Sequence, residues 1–211
     1  MIAALSIPGK LLAVAWRVAV YIFSPSLFVL GFVQFSVGIG VGKFLAVAHH
    51  RTRRLRPSVE PADRVDGEVT RYRWIGVVLV VVSVLFLLSV IPMLYGAEHV
   101  DPYNPLVAVL IATFTTVEFI VALRASIAAR RIGSLMSHAI RQLNLANSLI
   151  LVVLTQSAIM SFAYDGDASF SNGLSGLFFG SICVGIGVLM LVRARVRSVA
   201  FAARSRGAAS G

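Results

Sequence analysis

The sequence predicts an all-α, polytopic membrane protein, and three observations carry that expectation. Several apolar runs reach or pass the roughly 18–20 residues a helix needs to cross a bilayer. Across 211 residues, 58% are hydrophobic and only 13% charged, whereas a soluble domain runs near a quarter charged. The remaining charge is also sorted along the chain. Apart from Lys10, Arg17 and Lys43, the 19 basic residues lie between, after or at the edges of the apolar runs.

Taken in order, the first apolar segment covers 4–23 and carries Lys10 and Arg17. Its charges sit inside the apolar stretch rather than before it, the wrong order for a signal peptide. The segment either crosses or lies flat as an amphipathic interfacial helix. The second span, 26–47, follows Pro25, a residue tolerated in the first turn of a helix. The third is 74–95. The fourth, 105–125, opens on Pro105 in the same manner, and 144–163 and 173–192 complete the set. If 4–23 crosses, the chain is a single membrane domain over 1–211 with six helices in three hairpins. The alternative is five spans plus the N-terminal interfacial helix.

The charges orient these spans. Segment 48–73 is expected as a basic loop and holds Arg51, Arg53, Arg54, Arg56, Arg64, Arg71 and Arg73. Arg124, Arg130, Arg131 and Arg141 follow two spans later, and the tail 193–211 adds Arg193, Arg195, Arg197, Arg204 and Arg206. The intervening connections, "YGAEHVDPYNP" and "YDGDASFSN", contain acids and no lysine or arginine. Basic loops stay on the cytoplasmic side, so these loops and the C-terminus are expected inside a plasma membrane. The excess of arginine over lysine, with abundant alanine and valine, fits a GC-rich bacterial genome.

Within the spans, "ATFTTVEFIVALR" poses the chemical question, because it places Glu118 in an apolar helix. Counting from Pro105 at 1.5 Å per residue puts Glu118 about 20 Å down its span, and Lys43 about 25 Å down the span that starts at Ser26. The two depths differ by roughly one turn, within reach of two long side chains. A central charged residue costs about 2.5–3.5 kcal/mol on insertion scales, so such residues face the bundle interior, pair, or serve an ion path. Two readings stand side by side: a protonatable or cation-binding site at Glu118, and a structural Glu118–Lys43 pair. Thr115, which shares a face with Glu118, and Gln34, Gln156 and Arg17 complete the candidate set. For the threonines, a hydrogen bond to their own backbone or to a neighbouring helix is the plainer reading. Asn144, Ser148 and Thr155 fall near one stripe of their helix. Asn144 to Ser148 is expected at the inner interface, where polar groups cost little.

Gly38 with Gly42 and Gly176 with Gly180 are GxxxG pairs that permit close helix packing. A shift of 69 residues places Tyr95 on Tyr164 and Arg124 on Arg193, matching 74–125 to 144–192 as a parallel repeat; two coincidences in apolar sequence carry little weight alone. Arg51, Arg53, Arg54 and Arg56 are expected to meet anionic lipid headgroups. Nucleic acid is not an expected partner, since the bases flank spans. Beyond the bilayer, the partner is either a second copy or another membrane protein.

A single cysteine excludes disulfide frameworks and cysteine-based metal sites. His49 and His50 point about 100° apart on a helix, and His138 lies on another loop, so no metal site is expected. The residues from Asp165 to Ser171 alternate like the start of a calcium loop but lack its glycine and closing acid. No nucleotide loop, catalytic triad, zinc-protease helix or haem-type histidine pair occurs. The expectation is therefore a non-enzymatic protein without cofactor: a small transporter or channel working through Glu118, or a structural subunit of a membrane complex.

Overall fold

The computed structural model describes residues 26–55, 61–96, 105–129, 134–163 and 168–209, together with Ala15 and Val18. The expected span 4–23, with Arg17, therefore lies outside the described residues apart from those two helical positions. The described chain is all-helical: α1 (Leu27–Leu55), α2 (Pro61–Leu94), α3 (Pro105–Ala129), α4 (Leu135–Ala163) and α5 (Ser169–Ala209). Each is long and apolar enough to cross a membrane. A count of six is not established.

The helices begin where capping chemistry permits. Ser26 Oγ accepts the Val29 N–H at 3.1 Å ahead of α1, and Ser134 Oγ accepts the Ser137 N–H at 3.2 Å ahead of α4. Both satisfy a backbone donor that the helix itself cannot. Pro105 opens α3 and Pro61 opens α2, the first-turn role in which proline's missing N–H costs nothing.

The segment expected as a basic loop, 48–73, is mostly helix. α1 continues through Leu55 and α2 is already helical at Pro61. Likewise the expected tail is the last part of α5, helical to Ala209. Hydropathy marks where the apolar stretch stops and says nothing about where the helix stops. Arginine, alanine and leucine are good helix formers, so these helices run on past their apolar windows.

Successive helices alternate in direction, which gathers the arginine-rich helix ends at one end of the bundle. Packing, however, does not follow the expected hairpins. The most extensive contacts are α2 on α5 and α3 on α4, followed by α1 on α2, whereas α2 and α3 make no substantial contact among the described residues. Among the described residues, helix α3 thus has α4 as its one substantial neighbour, beside a core of α1, α2, α4 and α5.

The α2–α5 seam shows why that pairing forms. Gly173 lies against Leu94, Gly176 against Val90, Gly180 against Leu87 and Gly187 against Val80. Each glycine makes a hollow that receives a branched side chain from α2. Gly38 takes Val82, and Gly42 faces Leu143 and Ile75, so both GxxxG pairs pack within the chain. Phe32 and Phe35 of α1 meet Phe86 of α2 edge to face, with centroids 5.2 and 6.0 Å apart, a favoured aromatic geometry. Outward positions carry large apolar residues such as Leu88, Phe114, Val121, Phe178 and Leu189. An apolar exterior of this extent matches lipid as the solvent.

A shift of 69 residues does not superimpose the two main seams. Shifting α2 forward and α5 back by 69 residues carries the Val80–Gly187 contact onto Leu149–Glu118. The observed partner of Glu118 is Asn147, two residues away. Two residues turn a helix by about 200°, so the packing adds nothing to the faint repeat.

Candidate functional site

The α3–α4 seam differs chemically from the rest of the bundle. Helix α3 presents small and polar groups to α4: Ala108, Thr115 and Ala122, all buried, with Glu118 half-buried on the same face. Helix α4 answers with Asn144, Asn147, Ser148 and Thr155. Asn147 Nδ2 donates to Glu118 Oε1 at 3.4 Å, and the Thr115 and Thr155 hydroxyls lie 2.8 Å apart. Thr115 Oγ1 also lies 2.8 Å from the Ile111 carbonyl, while Thr113 and Thr116 are exposed and donate to carbonyls one turn back.

Asn144 and Asn147 are each only 1% exposed. They were expected at the inner interface; their burial is against neighbouring helices, which is a separate matter from depth in the bilayer, and Arg141 lies one turn before Asn144. Ser148 donates to the Asn144 backbone carbonyl at 2.9 Å. Asn144 Oδ1 is buried with no hydrogen-bond partner. A buried acceptor of this kind costs about 1–3 kcal/mol, which makes it a candidate to receive water, a proton carrier or a cation.

Lys43 is 7% exposed on α1. Its neighbour Gly42 packs on Leu143, and Glu118 bonds Asn147. Leu143 and Asn147 are four residues apart on α4, about 6 Å. Lys43 and Glu118 therefore flank one stretch of α4 about a turn apart in height.

The two glutamines are not brought together. Gln34 on α1 has a buried Nε2 without a partner. Gln156 donates to Met160 Sδ on its own helix at 3.8 Å. It lines an open groove of about 400 Å³ with Thr116, Phe119, Val152, Thr155, Ile159 and Met160. Helices α1 and α4 touch, but among the described residues no hydrogen bond joins Gln34 to Gln156. Arg51, Arg53 and Arg54 fall in the terminal turns of α1, and Arg56 lies outside the described residues.

Sequence reading missed a second polar cluster at the arginine-rich end. Arg193 Nη1 on α5 lies 2.6 Å from His138 Nε2 on α4, and the other ring nitrogen lies 3.1 Å from Tyr72 Oη on α2. Arginine can only donate, so Nε2 must hold a lone pair. The ring is then neutral, with its proton on Nδ1 and donated to Tyr72. Glu68, one turn before Tyr72, accepts the Leu135 N–H at 3.1 Å and caps α4. Sequence signals existed: Glu68 and Tyr72 share a face at four-residue spacing, as do Arg193 and Arg197. Nothing local, however, joins three helices so far apart in sequence.

Among the described residues no three His, Cys, Asp or Glu side chains come together as a metal site. Cys183 is a free, buried thiol, 3.5 Å from the Ala146 carbonyl. Comparison with known protein families and with curated proteins gives no match for this chain.

Proposed function

We propose that this chain is a multi-pass protein of a bacterial plasma membrane, with its arginine-rich end cytoplasmic, that moves protons or small cations using Glu118 as the coupling group. The reading includes a sixth span at 4–23. One observation carries it: a half-buried carboxylate about 20 Å along an apolar helix, bonded to a buried asparagine beside an unpartnered buried oxygen.

The chemistry follows from the surroundings. A carboxylate at that depth is costly unless it is bonded, paired or protonated. The Asn147 amide steadies the charged form, while burial favours the neutral one. Opposed influences of that kind leave a group able to gain and lose a proton or cation. The Asn144 Oδ1 and the Thr115–Thr155 hydroxyls add oxygen ligands along the same seam. Among the described residues α4 is the one substantial neighbour of α3, and their seam is built from small and polar groups, which suits α3 to shift. Segments that move are drawn from the less stable parts of a fold.

The second reading is a structural or accessory subunit, favoured by the Thr115–Thr155 bond, which fastens two helices without any traffic. Flux measurements on wild type and Glu118→Gln decide between them. Both are reconstituted in liposomes holding a pH-sensitive dye and challenged with proton, sodium and potassium gradients. Coupling through Glu118 predicts flux in the wild type and its loss in a variant whose helical content and melting are retained. A wild type that passes none of the three ions, with a variant changed only in stability, would give the accessory reading the field.

A further inference from the structure

We propose that the notch where the arginine-rich ends of α2, α4 and α5 meet is a phosphate-binding site, and that its ligand is the headgroup of an anionic phospholipid.

The notch is cationic. Arg193 and Arg197 stand one turn apart on α5 and are exposed, while Arg141, half-buried, lies three residues beyond His138 on α4. All three charges bear on the His138 ring, and those of Arg193 and Arg197 reach Tyr72 as well. Among the described residues no carboxylate pairs with any of the three. Glu68, on the same helix as Tyr72, is turned to the first backbone N–H of α4. Arg193 and Arg197, neighbours one turn apart on a single helix, repel each other unless an anion enters between them.

Arg193 is also held in place by a neutral partner. The buried Tyr72 hydroxyl orients the His138 ring, and the ring's lone pair holds one Arg193 N–H at 2.6 Å. An arginine has five such donors. Tyr72 also takes a hydrogen bond from Arg193, and among the described residues no carboxylate takes up its charge. A guanidinium fixed in this manner loses little freedom on binding, and its fork matches two oxygens of a phosphate. Tyr72 and His138 are thus positioning residues, and the three arginines are the ligand contacts.

Location selects the lipid over a free anion. Arg193 lies toward the end of the apolar window 169–199 and His138 near the start of 135–160. Trp74, two residues after Tyr72, is 59% exposed, in keeping with the aromatic belt at the level of headgroups. The site is distinct from the terminal arginines of α1. It rests on the membrane reading of the fold and not on transport through Glu118.

The test uses the full chain, and its first step separates the two readings. Release from membranes by alkaline carbonate, without detergent, would remove the membrane reading itself. With the chain retained, delipidated protein in neutral detergent is titrated with phosphatidylglycerol or phosphatidylcholine, and bound lipid is counted by native mass spectrometry. Phosphatidylglycerol is expected to bind more tightly. Arg141→Gln with Arg197→Gln, neither of which makes a side-chain hydrogen bond here, should weaken it roughly thirtyfold, from about fivefold per base near a membrane surface. Arg193→Lys, which keeps the charge but not the fork, should also weaken it, by about fivefold. The control Arg124→Gln, an exposed base on α3 outside the three helices of the notch, should leave this site's affinity within about twofold. Equal binding of the two lipids, or an equal loss in the control, overturns the notch as a site. Displacement of phosphatidylglycerol by millimolar inorganic phosphate overturns the lipid assignment in favour of a free anion.

Discussion

The crossing of α2 and α5 can be tested by adding one methyl group. A Cβ placed on Gly187 would lie 2.7 Å from Val80 Cγ2, 3.1 Å from the Val80 backbone nitrogen and 3.3 Å from the Gly76 carbonyl oxygen. Ordinary carbon contacts run at about 3.5–4.0 Å. Val80 is β-branched and stiff at χ1, and the other two atoms are backbone, so no side-chain swing makes room. The helices must part by roughly half an ångström to one ångström. Overpacking of this kind costs about 1–3 kcal/mol. Against it stands the gain of about 0.5–1 kcal/mol when alanine replaces glycine inside a helix. Gly185, two residues earlier on the same helix, faces open space, so Gly185→Ala collects that gain alone. The helix term cancels between the two variants, which leaves Gly187→Ala about 1–3 kcal/mol less stable than Gly185→Ala. The assay is titration with SDS in mixed micelles, following helical circular dichroism and alkylation of the sole cysteine. Cys183 is fully buried, so it should react only as the bundle opens. If the two variants unfold at the same SDS fraction, α2 and α5 do not approach this closely and the packing argument fails.

Two further predictions concern the α3–α4 seam. A double-mutant cycle on Thr115→Val and Thr155→Val should give a coupling of about 0.6 kcal/mol and no more than about 1.7 kcal/mol, as for other interhelical hydrogen bonds in membranes; zero coupling would mean that the two hydroxyls do not meet. Asn144→Leu should stabilise the bundle by about 1–3 kcal/mol, by removing a buried oxygen that has no partner, and under the transport reading it should lower flux at the same time. Destabilisation by Asn144→Leu would show that the oxygen is already satisfied and would take it out of the proposed site.

Much of the candidate site was legible as isolated residues and little of it as a constellation. Glu118 stands out because an acid in an apolar run violates the composition around it, and Thr115 follows from its three-residue spacing. Asn147 stood off the stripe of Asn144, Ser148 and Thr155 and so was not singled out; its contact with Glu118 depends on how α3 is set against α4. Gln34 and Gln156 looked equivalent as polar residues in apolar helices. Their difference lies in which neighbour each helix face meets, and spacing within one helix cannot supply that.

The sequence by itself determined that the chain is helical, where the apolar stretches lie, and that the arginines gather at one end. Each of these is a local property: a run of apolar side chains suits a continuous helix in a medium without water, and charge stays where water is. Only the tertiary structure decided that α2 packs on α5 rather than on its neighbour α3, that α3 hangs on α4, and that Tyr72, His138 and Arg193 join three helices. Those pairings depend on how a hollow at Gly187 or Gly76 fits a side chain about a hundred residues away. Shape complementarity of that kind has no signature within a single helix, because every face of an apolar helix reads alike until a partner is set against it.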